Sequence, residues 1–147
     1  MSLLVHPDPS GKVIETFGFE LLGFRTLRLQ PGESFQEMTA GREVAIVLLG
    51  GTCSVVSSAG EFPVVGGRAD VFSGLPHTLY LPIQTQYTLT ATTACDLALC
   101  YCLADVHYPA ALVTPAHVRV EIRGGGNATR QINHMIQPSF PAHRILI

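Results

Sequence analysis

The residues able to do chemistry are few and dispersed. Six histidines, His6, His77, His107, His117, His134 and His143, stand apart, and no two form an H-x-H or H-x-x-x-H pair. A zinc or manganese site needs three or four converging ligands. Spacing alone therefore points to no metal site, although any three could still meet in space. Ordinary hydrogen bonds at edges and surfaces are the expectation for most of them. His77 is the exception, because "SGLPHTLYLP" places it on a loop entering a strand. Arg123, Asn127 and Arg130, within "RGGGNATRQI", are sharper candidates. The planar fork of arginine suits a carboxylate. The same residues would equally pin a connecting segment to a neighbouring domain. Gly124-Gly125-Gly126 lacks the strand-then-helix setting of a phosphate-binding loop, so a nucleotide site is not expected.

The cysteines point away from redox or zinc chemistry. Cys100 and Cys102 lie two apart in the strand-like "CDLALCYCLAD" and would share one face, too far apart for a comfortable disulfide. The C-x2-4-C turn of a zinc site is missing. Together with Cys53 and Cys95 they are expected to be reduced and packed as small apolar side chains.

The elements that must carry these residues are short strands. Turn signals recur about every 8–12 residues, the cadence of a sandwich or barrel. "GFELLGFRTLRLQPGES" gives a strand with Phe24, Leu27 and Leu29, closed by the turn dipeptide Pro31-Gly32. "VAIVLLGGTCSVVSS" gives a continuous buried run, a glycine turn and a second strand. "HTLYLPIQTQYTLTATTACDLALCYCL" alternates through Leu79 and Leu81, Tyr87 and Leu89, then Leu97, Leu99 and Tyr101. Only "TPAHVRVE" hints at a helical turn, starting at Thr114 with Pro115 at its first position.

The 147 residues make one ordinary domain, 47 % hydrophobic and only 14 % charged. Such an excess of apolar residues needs a buried barrel interior or an interface with another copy or domain. The net charge of −2 shows no like-charge block, so neither nucleic acid nor a membrane surface is expected as partner. The longest apolar run, Val44 to Leu49, falls far short of the ~18 residues that span a bilayer. "MSLLVHPDPSG" lacks a positive n-region and breaks at Pro7 and Pro9, so no signal peptide and a cytoplasmic location are expected. After about Ala104 the chain turns richer in Pro, His, Arg and Gly, like an arm leaving a barrel and ending in a new apolar strand, "RILI".

Several stretches carry a resemblance: "MSLLVHPDPSGKV", "LRLQPGES", "REVAIVLLGGT", "DVFSGLPHTLYLPIQTQYTLTA" and, most specifically, "VRVEIRGGGNATRQINHMIQPSFPAHRILI". Over its whole length the sequence resembles the 5-deoxy-glucuronate isomerase family of myo-inositol catabolism, itself similar to the uronate ketol-isomerases of pectin breakdown. The resemblance implies an all-β, cupin-type double-stranded β-helix (a jelly-roll barrel) with a C-terminal connector arm. Residues 1–104 would be a degenerate cupin barrel with an N-terminal strand. Residues 105–147 would be the connector, ending in an apolar strand that leads into a second cupin.

Family members are two-cupin proteins whose divalent metal, zinc or manganese, is implied to lie in that second cupin. Here the resemblance leaves only remnants. Glu43 stands where a motif-one glutamate would, with Phe35 and Glu37 in place of the paired histidines. Pro82 is kept, Gln84 replaces a turn glycine, and Tyr87 stands where a ligand histidine would. The expectation is a barrel with no metal and no catalytic residue of its own, inactive alone, in support of an aldose–ketose isomerase. Arg123 or Arg130 could then meet the carboxylate of a small uronic-acid-type sugar. A free-standing sugar-binding or assembly module is the alternative. Either reading predicts self-association, as a homodimer or higher oligomer that imitates the two-cupin pair.

Overall fold

The computed structural model describes His6 and residues 8–10, 13–16 and 19–147. Most of the opening stretch that carries part of the resemblance lies outside the described residues. Strand β1 (Val13–Thr16) pairs with β2 (Leu22–Leu29), and β3 (Ser34–Met38) precedes the long β4 (Arg42–Gly50). Then come β5 (Thr52–Ser57), β6 (Gly60–Gly66), β7 (Thr78–Leu81), β8 (Gln86–Ala91) and β9 (Cys95–Leu103). The last strands are β10 (Ala111–Val113), β11 (Arg119–Arg123) and β12 (Arg130–His134). Among the described residues there is no α-helix. Two single 3-10 turns occur, one at Pro115–His117 with Thr114 as its N-cap residue, as the sequence predicts.

Two antiparallel sheets face each other. One has the order β1-β2-β9-β4-β7-β10 and the other β3-β8-β5-β6, while β11 and β12 form a separate hairpin. Because strand side chains alternate, every second residue enters the space between the sheets. From the larger sheet these are Leu27, Ile46, Leu79, Leu97 and Leu99, which meet Val55 and Leu89 of the smaller one. The interior is an apolar core.

Strand β4 is unusual because both of its faces are covered. Val44, Ile46 and Leu48 point inward, whereas Ala45 joins Tyr80, Cys102, Ile136 and Ile145 in a second cluster on the outer face. Tyr80 and Phe140 meet there edge-on at 5.5 Å. The C-terminal residues therefore fold back over the sheet. The expected apolar strand at "RILI" is not a strand; its backbone is held by side-chain acceptors and by pairing of Ile147 with Ile136. The connector predicted from residue 105 also contributes β10, which extends the barrel sheet beside β7.

Turn chemistry follows the backbone. Gly51, just after β4, has φ +85°, and a Cβ there would collide with the Ala94 carbonyl, so glycine is required at that position. Gln84 holds φ +56°, the left-handed conformation a glycine would adopt easily. All four cysteines are free, with Cys100 and Cys102 toward the outer face and Cys53 and Cys95 inside. Burial, with Cys95 nearby, pushes the Cys53 thiol up to about 12, which keeps it an inert thiol.

Candidate functional site

One polar cluster occupies the end of the otherwise apolar interior. Register places Glu37 of β3 directly opposite Tyr87 of β8, and Val44 of β4 opposite Tyr101 of β9. Alternation then turns Arg25 of β2 to the same side as Leu27 and Leu29. The side chains converge on the Glu37 carboxylate. Tyr87 and Tyr101 both donate to its Oε2, at 2.6 and 2.7 Å, and Arg25 Nη1 donates to Oε1 at 2.7 Å. The guanidinium also lies over the rings of Phe35 and Tyr101, at 5.1 and 5.8 Å from their centroids. Burial, reinforced by Glu37, pushes both phenols well above their ordinary range, so they act as neutral donors.

This arrangement has its own cation. Glu37 and Tyr87, with Phe35 beside them, stand where a metal-binding cupin would carry ligand histidines, and the positive charge among them is the Arg25 guanidinium. Among the described residues no three His, Cys, Asp or Glu side chains converge as a metal would require. The donor set here does not fit a divalent ion. Pro82 contributes through its backbone: its carbonyl accepts from Thr39 Oγ1, which in turn accepts from the Thr85 N–H.

Glu43, the motif-one remnant, does separate work. Its side chain leaves β4 on the face opposite to Val44, so it points away from the Glu37 cluster and toward the C-terminal segment. It is fully buried. Oε1 accepts the backbone N–H groups of Arg144 and Ile145, both at 2.7 Å, and Oε2 accepts that of His143 at 2.9 Å. The Tyr80 hydroxyl donates to the same Oε2 at 2.9 Å. Four donors around one carboxylate make a structural clamp that fastens residues 143–145 to the barrel.

The remaining candidates are scattered. His77 precedes β7, and its carbonyl accepts from Leu48 N; burial pushes its imidazole below the ordinary value. Its neighbour Thr78 pairs with Val47, three residues along β4 from the Tyr101 partner Val44, about 10 Å away. His77 therefore does not join the Glu37 cluster. Arg123 and Arg130 lie opposite each other on the β11–β12 hairpin, with Asn127 exposed in the connecting turn. Gly124 has φ +88° and no room for a Cβ beside the Ala128 carbonyl, so the glycine run serves the turn. Glu121 gathers this face: it accepts from Arg123 Nε at 2.6 Å, contacts His134 Nε2 at 3.0 Å and reaches Arg119 at 3.8 Å.

Arg25, Tyr80, Arg119 and Glu121 escaped the sequence reading, which took Tyr101 only as a strand residue and His134 only as one of the dispersed histidines. A signal existed for Arg25, which shares the two-residue spacing of Leu27 and Leu29 in "FRTLRL" and so is a charge with inward parity.

Two facing sheets around an apolar interior, closed at one end by polar side chains, define a jelly-roll barrel of the cupin type. The chain belongs to the KduI/IolB family, whose model matches residues 11–147. It is 32% identical to the 5-deoxy-glucuronate isomerase of Geobacillus kaustophilus, over 96% of this chain and 53% of that protein. The isomerase of the same name from Geobacillus thermodenitrificans is 33% identical over the same shares. The crystal structure of an IolB-like protein from Salmonella typhimurium superimposes with a TM-score of 0.81 at 32% identity, covering 85% of this chain and 48% of that one. The chain thus spans about half the length of the curated relatives it matches. Among the described residues no helix is long and apolar enough to cross a membrane.

Proposed function

We propose that this chain is the supporting half of an aldose–ketose isomerase acting on 5-deoxy-glucuronate in myo-inositol catabolism, in the cytoplasm. Its relatives carry that enzyme's name and are about twice as long. The observation that carries the reading is the Glu37 cluster: an internal guanidinium neutralises the carboxylate at the position where a metal-holding cupin would carry its paired histidines. Chemistry is assigned to a second barrel, and the divalent metal, zinc or manganese, is assigned there by the resemblance alone.

The same reading includes self-association. Leu22 and Phe24 on the outer face of β2 are half exposed and, with Phe19, Cys100 and Leu146, line an apolar cavity of about 470 Å³. Exposed apolar patches of this kind mark contact surfaces. A second copy facing the first across a two-fold axis would cover it.

Two measurements test the proposal. An isomerase assay on the isolated chain should give no turnover, and turnover should appear when the second barrel of a full-length relative is supplied. Turnover by the chain alone would overturn the assignment. Light scattering should give the mass of at least a pair, and a strict monomer at high concentration would remove the self-association.

A further inference from the structure

We infer that the charged face of the β11–β12 hairpin is a recognition site for the carboxylate of a small sugar acid. The register puts Arg119, Glu121, Arg123, Arg130 and His134 on one face, with Arg119 opposite His134 and Arg123 opposite Arg130. Residues 119–134 hold three arginines against one glutamate, a net +2 on a chain whose total is −2. Two arginines directly opposite on one face of a strand pair repel each other. Glu121 offsets part of that cost at Arg123, and a second anion on the face would offset more.

The donors to hold such an anion are present. A guanidinium has five N–H donors. Glu121 accepts two from Arg123, at 2.6 and 3.3 Å, and stays beyond hydrogen-bond range of Arg119 at 3.8 Å. Arg130 has no acceptor among the described residues. Glu121 therefore fixes one edge of Arg123 and leaves the other edge and the Arg119 fork for a ligand. These two arginines, Glu121 and His134 form the polar wall of a cavity of about 420 Å³, within the range of small-molecule sites. Ile136, Pro138 and Leu146 form an apolar wall suited to the C–H face of a sugar ring, and Gln137 offers an amide for hydroxyls. The choice of a sugar acid rests on the isomerase reading; the carboxylate preference rests on the arginines.

D-Glucuronate and D-glucose, titrated separately into the full chain and followed by calorimetry, test the site. Glucuronate should bind saturably and at least about tenfold tighter than glucose. Arg119→Gln and Arg123→Gln should each weaken glucuronate about tenfold, with unfolding midpoints preserved. Arg28→Gln, which removes an exposed pair with Asp96 on the barrel, should leave binding unchanged. Equal affinity for the two sugars, or glucuronate binding indifferent to both hairpin variants, would overturn the inference. If the variants instead lower the mass in light scattering without touching glucuronate, the face contacts protein and the site is likewise overturned. An inactive two-barrel assembly would remove the isomerase reading yet leave sugar discrimination intact. Lost discrimination would remove the site and leave the family assignment standing.

Discussion

Glu37 and Glu43 lie six residues apart, on consecutive strands of different sheets, and do opposite work. Glu37 faces the barrel interior, partly reached by solvent, and is neutralised by Arg25 with two phenols in support. Glu43 faces outward, is sealed under the C-terminal segment, and is surrounded by three backbone N–H groups and one phenol. One carboxylate is balanced by a full charge, the other by oriented dipoles. The inner cluster fills one end of the barrel; the outer clamp decides where the C-terminal segment runs. Removing an acceptor should be felt most where its donors are least able to find water.

Glu43→Ala is therefore expected to have the largest effect. It leaves four donors without an acceptor, two of them buried and two part-buried, and should cost about 3–5 kcal/mol in urea unfolding. Hydrogen exchange of the amides at 143–145 should accelerate more than that of β9. Uniform acceleration across both would refute a local clamp. Arg25→Met keeps the apolar stem and strands the Glu37 carboxylate, for an expected loss of about 1–3 kcal/mol. Adding Glu37→Gln should cost less on top of Arg25→Met than in the wild type, because the charge no longer needs a partner. Strictly additive losses would show that the inner cluster is not a unit.

Gln84→Gly should gain about 0.5–1 kcal/mol by relieving the left-handed backbone before β8, the strand that presents Tyr87. A loss in thermal unfolding would mean that the Gln84 side chain contributes more than its backbone strain costs. The smallest effect is expected at Glu121, which the hydrogen bonds from Arg123 and His134 hold down to about 2. Its folded value lies below the ordinary one, so its contribution is present above the usual carboxylate range and fades as pH falls toward 2. Carbon-detected NMR titration of that carboxyl would report the midpoint, and one near 4.5 would show that the hairpin face is not organised.

Much of the fold was legible. Alternation through Leu97, Leu99 and Tyr101, the glycine turn after β4 and the proline-initiated turn at Thr114 all lie in local spacing, which the backbone obeys directly. The shared face of Cys100 and Cys102 followed from the same period of two. The absence of an H-x-H pair is a fact of the sequence, but whether dispersed side chains converge is not.

Parity on β4 was not legible. "EVAIVLL" is covered on both faces, so hydrophobicity carries no sign of which residues face in, and Glu43 could be assigned to either side. A one-residue change of parity moves a side chain from core to outer face.

By itself the sequence determined a strand-built barrel without a recognisable cation-binding set, since period and residue type are local quantities. Only the tertiary structure decided that Arg25 meets Glu37, that Glu43 grips a segment a hundred residues downstream, and that three arginines share a face with one glutamate. Those pairings depend on sheet order and register, which are set by how the whole chain buries its apolar surface.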